Sequence, residues 1–145
     1  MRLSLGPEDA ELIKLTALMS FLALPAWAQD VGPLEEYLWQ SRPLVVFAPS
    51  GSDPRLIQQL EFIEQRKAEL DVRDVVVLVD SDPSGKSSLR QELRPNGFQL
   101  VLIGKDGKVV LRKPRPWDVR ELMRSIDKIP LRKQEIEAQK SMPTL

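Results

Sequence analysis

Cysteine and histidine are both absent from the 145 residues. Without a thiolate the chain has no thiol redox cycle and no thiolate metal site. Without an imidazole it has no Ser/His or Cys/His nucleophile pair, and it lacks the one side chain that titrates near neutrality unperturbed. Chemistry is left to carboxylate, amine, guanidinium, hydroxyl and a single phenol, Tyr37. A surplus of one charge is missing too. The 21 basic and 21 acidic residues give a formal net charge of +0, without the basic excess that nucleic-acid binding uses. The apolar fraction of 42% suffices for one ordinary core. A bilayer-spanning stretch is lacking, since the apolar run Leu15 to Ala26 is too short for one.

That run has a different meaning. It is interrupted only by Thr16 and Ser20 and ends in Pro25-Ala26-Trp27-Ala28, an Ala-x-Ala cleavage pattern ahead of Gln29. Residues 1–28 are therefore expected to be a signal peptide, which makes the mature protein periplasmic or secreted. Glu8, Asp9 and Glu11 dilute the positive charge of Arg2 and Lys14, as a start codon placed too far upstream would do. A buried N-terminal helix or an uncleaved anchor is the alternative. Cleavage would leave 19 basic and 18 acidic residues, no cysteine to carry a lipid, and no stable membrane span.

Residues 29–33 form a polar joint, and Leu34 to Trp39 is expected to make one or two helical turns with Leu34, Tyr37 and Leu38 on one face. Leu44 to Ala48 is apolar without alternation, the pattern of a strand covered on both faces. Asp53-Pro54 reads as an N-cap followed by proline at the first helical position. Leu56, Leu60, Ile63 and Leu70 continue it at helical spacing. Val75 to Val79 is a second buried strand, and the intervening helix makes the pair parallel. A short helix is expected around Lys86 to Leu93, ended by Arg94-Pro95-Asn96-Gly97. Phe98 to Ile103 and Lys108 to Arg112 flank Asp106-Gly107, which signals a two-residue hairpin. Asp118 with Glu121 resembles a capping box before Val119, Leu122, Ile126 and Ile129, the apolar stripe of a last core helix closed by Pro130. Residues 131–145 are a charged C-terminal extension, with Leu131 to Lys140 expected as an exposed helix and Ser141 to Leu145 as a frayed end.

The order strand-helix-strand-helix-strand-strand-helix is that of an α/β, thioredoxin-like domain over 34–130, a central mixed four-stranded sheet flanked by helices. Leu44-Val45-Val46-Phe47-Ala48-Pro49-Ser50, Asp53-Pro54-Arg55, Gly97-Phe98, Leu102-Ile103-Gly104-Lys105-Asp106-Gly107 and Ile126-Asp127-Lys128-Ile129-Pro130-Leu131-Arg132 carry a resemblance to a family. It is the secreted thioredoxin-like, peroxiredoxin-related domain of unknown function found in exported bacterial proteins and in vertebrate sushi-repeat-containing matrix proteins. The resemblance spans about Leu34 to Gln139 and implies a thioredoxin fold with no established activity. Against the peroxiredoxin pattern Pro49 matches the proline, Asp53 stands at the threonine and Leu56 at the reactive cysteine. A thioredoxin-type register instead puts Ser52 to Arg55 at the two cysteines and Phe98 near the cis-proline. Neither register contains sulfur, and a serine hydroxyl cannot replace a thiolate in the cycle.

Several candidate sites follow. Gly85-Lys86-Ser87 looks like the end of a phosphate loop, but Asp80 stands where the required glycine belongs, so a helix start is the better reading. Asp80 and Asp82 make an incomplete cation site and read as a capped turn. Neither a cofactor nor a metal is expected. Ser50, Ser52, Asp53 and Arg55, with the free amides at the helix start, are the candidate ligand-binding residues for an anion or a peptide carboxylate. Arg112, Lys113, Arg115 and Arg120 beside Trp117 are the candidate partner-binding patch. The reading is a redox-inactive binding module in the cell envelope, engaging an unidentified protein or a small anionic ligand. The alternative is an enzyme using carboxylate or lysine groups at the strand-end loops, or a peroxiredoxin relative that retains ligand binding only. Convergence of Ser50, Asp53 and Arg55 with a second-strand carboxylate would favour the enzyme, and an open loop would favour the module.

Overall fold

The computed structural model describes Pro25 and residues 33–143. Apart from Pro25 the expected signal peptide lies outside the described residues, as does all of the joint except Pro33. Four strands order themselves β2-β1-β3-β4, with β1 Arg42–Phe47, β2 Val75–Asp80, β3 Gln99–Ile103 and β4 Val109–Lys113. β1 runs parallel to β2 from Arg42↔Val75 to Phe47↔Asp80 and antiparallel to β3 from Leu44↔Leu102 to Phe47↔Gln99. β1 starts earlier than Leu44, taking in a proline at an interior position of the sheet. The amides of Arg42 and Ala48 both donate toward β2, to Asp74 O and Asp80 O. Pro43, of opposite parity, thus turns its missing N–H toward β3, where pairing begins only at Leu44.

Helices cover both faces. On one, Leu44, Val46, Val77, Val79, Leu100 and Leu102 meet α1 (Pro54–Glu64), α2 (Lys67–Asp71) and α4 (Val119–Asp127). On the other, Val45, Phe47, Leu78, Val101 and Ile103 meet α3 (Ser88–Leu93) through Leu89 and Leu93, with Leu34 of the 3-10 turn Leu34–Tyr37 beside them. This mixed sheet between helices is the expected architecture. Asp53 caps α1 as the sequence indicates, accepting from the Arg55 amide, with Pro54 at the start. The single helix read from Leu56 to Leu70 is two: the Arg66 amide donates to Ile63 O at 3.0 Å, tightening the last turn of α1 before α2 begins.

Two further expectations are corrected. The β3–β4 connection is not a two-residue hairpin. Gly104 N donates to Lys108 O at 2.9 Å and Gly107 N to Gly104 O at 3.0 Å, enclosing Lys105-Asp106-Gly107. Gly107 takes φ +81, the left-handed residue that closes such a three-residue loop. The register then shifts at Leu102/Ile103. Pro130 does end α4, but it also starts α5, Pro130–Ser141. The segment Leu131 to Lys140 is helical as expected, but it is docked and not simply exposed: it buries Arg132 and pairs Glu135 with Arg42.

Candidate functional site

The loop after β1 sits at the carboxyl ends of two parallel strands and at the amino end of α1, where ligands of open α/β sheets usually bind. Its side chains are occupied with one another. Arg55 grips Asp53 with both arms, Nε to Oδ1 at 3.0 Å and Nη2 to Oδ2 at 2.7 Å, while the Arg55 amide donates to Oδ1 at 2.9 Å. This side-chain bond holds the Asp53 carboxyl below the usual carboxylate range and pushes the Arg55 guanidinium up. The same guanidinium stands 5.5 Å over the buried Phe98 ring. Ser50 and Ser52 are exposed, their hydroxyls 3.2 Å apart. The four sequence candidates thus lie together on an open loop, with serine hydroxyls free to turn outward.

The second-strand carboxylate does not join them. Asp80, at the end of β2, accepts from Arg90 Nε at 2.8 Å and from Ser87 Oγ at 2.5 Å, and Arg90 Nη2 donates to the carbonyls of Ala48 and Asp80 at 3.0 and 2.9 Å. Arg90 stacks 5.3 Å from the Phe47 ring. One arginine therefore ties α3 to the ends of both parallel strands. Asp82 takes the capping role instead, accepting from Ser84, whose hydrogen bond lowers its pKa. Among the described residues no group of three or more carboxylates is placed to hold a metal ion.

The basic patch is divided by the sheet. Arg112 turns to the α3 side and donates to Leu93 O at 2.8 Å and Gln99 Oε1 at 3.0 Å. Lys113, next along β4, lies 3.8 Å over the Trp117 ring on the other side. Arg115 and Arg120 are exposed, and Arg120 borders a groove of about 210 Å3 with Phe62, Arg66 and Asp118. Trp117 is held by Gln59, a fully buried polar residue of α1. The Trp117 amide donates to Gln59 Oε1 at 2.7 Å and Gln59 Nε2 donates to Trp117 O at 3.1 Å. That clamp escapes a reading of the stripe Leu56, Leu60, Ile63, because Gln59 lies on the core side of α1 but is polar.

A second cluster, at the opposite end of the sheet, has no local sequence signal either. Arg42 is 0% exposed. It donates Nη1 to Arg73 O at 2.8 Å and Nη2 to Glu135 Oε1 at 3.0 Å. Lys105 reaches both Asp74 and Glu135, at 2.9 and 2.8 Å, and Arg132 lies 3.3 Å from Glu135 Oε2. Burial acts to raise the Glu135 carboxyl, but the hydrogen bonds from Lys105, Arg42 and Arg132 outweigh it and hold it at about 2. Burial likewise opposes the charge on Lys105, and its two carboxylate partners still raise its pKa. Arg73 and Asp127 form a bidentate pair beside them, at 3.0 and 2.9 Å. This network fastens α5 to β1 and to the β3–β4 hairpin.

Among the described residues no helix is long and apolar enough to cross a membrane. Comparison with solved structures finds the same fold at low identity. A chloroplastic thioredoxin z is 21% identical, with a TM-score of 0.53 over 80% of this chain and 99% of that one. A reduced 2-Cys peroxiredoxin of Plasmodium vivax is 15% identical, with a TM-score of 0.55 over 70% of this chain and 84% of that one. Coiled-coil domain-containing protein 80 of Danio rerio is 27% identical over a gapped alignment 139 residues long that covers 75% of this chain and 16% of that protein. The chain thus corresponds to a small part of that relative. Residues 33–135 match the family described as Domain of unknown function (DUF4174), from the 3-10 turn to the Glu135 cluster. Carrying a thioredoxin-like sheet through that whole span, the chain belongs to the DUF4174 family.

Proposed function

We propose that this chain is an exported, redox-inactive thioredoxin-like domain that serves as a binding module in the cell envelope, holding a protein partner or a small anionic ligand. The observation that carries the reading is the state of the loop after β1. Where thioredoxin-like enzymes keep sulfur, this chain presents two exposed serines and a closed Asp53–Arg55 pair, and cysteine is absent throughout. An incoming carboxylate would compete with Asp53 for the Arg55 fork and take further bonds from Ser50 and Ser52. The separate commitment of Asp80 to Arg90 favours binding over acid–base chemistry, because no second carboxylate stands ready at the loop. Export rests on the run Leu15 to Ala26 and its Ala-x-Ala ending. Lys113 over Trp117, with Arg115 and Arg120, offers a separate surface for an acidic partner.

Fractionation of cells expressing the full chain, with the N-terminus read by mass spectrometry, tests the compartment. A mature chain beginning at Gln29 outside the cytoplasm supports it, and an uncut chain in the cytosol overturns it. In-cell crosslinking with and without Ser50→Ala and Arg55→Ala tests the loop as the contact.

A further inference from the structure

The molecule has a second concavity, far from the loop after β1. It lies at the start of β1 and the β3–β4 hairpin, a cleft of about 210 Å3. A cavity of about 150 Å3 takes up benzene, so this cleft has room for one aromatic ring with a short polar arm. Its apolar walls are Trp39, Val110, Ile129 and Leu131. Trp39 is 68% exposed and Val110 38% exposed, an apolar surface with nothing from the described residues over it.

Its lining is rich in cations, two of which, Arg42 and Lys105, are already paired with Glu135. Arg42, Lys105 and Lys108 line the cleft against a single carboxylate, Asp106. Asp106 Oδ1 already accepts the Lys108 amide within the turn. Lys105 is held by Asp74 and Glu135, whereas Lys108 is exposed and makes no ion pair with the described residues. Arg42 is the unusual member: fully buried, with both terminal nitrogens bonded, it keeps an Nε–H that has no acceptor among the described residues. A buried donor on a cation, left without a partner, is expensive and calls for an acceptor. Trp39 adds a backbone cost, since it takes φ +62 while its amide donates to Lys105 O at 2.8 Å. A bulky residue held in the left-handed region is strained, and the amide bond to the hairpin fixes the Trp39 backbone beside the cleft that its side chain lines.

From these features we infer that the cleft between Trp39 and the β3–β4 hairpin binds a small aromatic monocarboxylate, its ring against Trp39, Val110 and Leu131 and its carboxylate toward Lys108 and Arg42. The site is distinct from the Ser50–Arg55 loop, so its failure leaves that reading standing, and the reverse also holds.

The test uses the full chain and two probes of equal size, 3-phenylpropanoate and its neutral counterpart 3-phenylpropan-1-ol, titrated while the Trp39 indole and Arg42 Nε–H resonances are followed. The expected result is a saturable shift of both signals with the carboxylate and weaker binding of the alcohol. Lys108→Gln, at an exposed position, is expected to weaken the carboxylate by roughly three- to tenfold, as for one lost charged contact, and to leave the alcohol unchanged. Trp39→Ala is expected to weaken both. Signals that stay unmoved at millimolar carboxylate, equal affinity for the two probes, or a Lys108→Gln variant that binds the carboxylate as the parent does would each overturn the assignment.

Discussion

Arg42 and Glu135 are 93 positions apart in the chain and 3.0 Å apart in the fold, Nη2 to Oε1. The arginine is buried at the start of the central strand, and the glutamate lies in a helix whose composition suggests a solvated tail. Their pairing makes α5 a working part of the domain.

The Glu135 carboxyl, held at about 2 in place of 4.5, sets an acid limb. Its folded pKa is depressed, so its stabilisation is complete above the unfolded value and is lost as pH falls from about 4.5 toward 2. Linkage gives an upper figure of about 3 kcal/mol, and solvent screening of a partly exposed group reduces this to about 1–2 kcal/mol. Urea unfolding of the parent and Glu135→Gln at pH 7 and pH 3 is expected to show a gap at neutral pH that narrows in acid. A gap independent of pH would place the effect elsewhere.

Arg90 and Asp80 are both largely buried, their side chains 12% and 5% exposed. Removing one partner leaves the other as an uncompensated charge, which costs about 3–5 kcal/mol. Asp80→Asn is therefore expected to lower stability by about 3 kcal/mol. Because Arg90 also holds Ala48 O, the variant is expected to speed amide exchange in residues 48–53 more than in α4. Denaturant titration and hydrogen exchange check the two parts separately.

Gln59→Leu keeps the size of the side chain but strips the Trp117 amide and carbonyl of their partners. Leaving such groups unsatisfied costs about 1–3 kcal/mol each at most, and the expected loss is about 2 kcal/mol. It should come with a change in tryptophan fluorescence, because Trp117 is the residue released.

Asp53→Ala removes the cap of α1 and frees Arg55, whereas Asp53→Asn retains a capping oxygen and loses the charge. Thermal unfolding is expected to rank the parent and the Asn variant above the Ala variant. The Asn variant is also expected to bind a carboxylate at the loop more tightly than the parent, because its competitor for Arg55 is neutral. Calorimetric titration with acetate checks that order.

The parts of this fold legible in the sequence are those set by neighbouring residues. The unbroken apolar runs at Leu44 to Ala48 and Val75 to Val79, and the Asp53-Pro54 start of α1, follow from patterns a few residues long, and their order points to the thioredoxin-like sheet. Pairings across the chain were not legible. Nothing near Arg42 indicates Glu135, and nothing near Gln59 indicates Trp117. The hairpin at Asp106-Gly107 has a three-residue loop because Gly104, and not Lys105, bonds to Lys108 across it, a difference that the Asp-Gly signal does not carry. For the candidate site, the sequence located the loop, but the closure of Arg55 on Asp53 is a matter of side-chain geometry.

The most direct test of the proposed binding role is in-cell crosslinking of the full chain, expressed with its own N-terminal segment, beside a Ser50→Ala/Arg55→Ala double variant that keeps the Asp53 cap. Captured material is read by mass spectrometry. The expected result is one reproducible adduct, formed outside the cytoplasm by a chain beginning at Gln29 and reduced in the double variant. Identical adducts from both chains, or an adduct formed only by uncleaved chain in the cytosol, would contradict it.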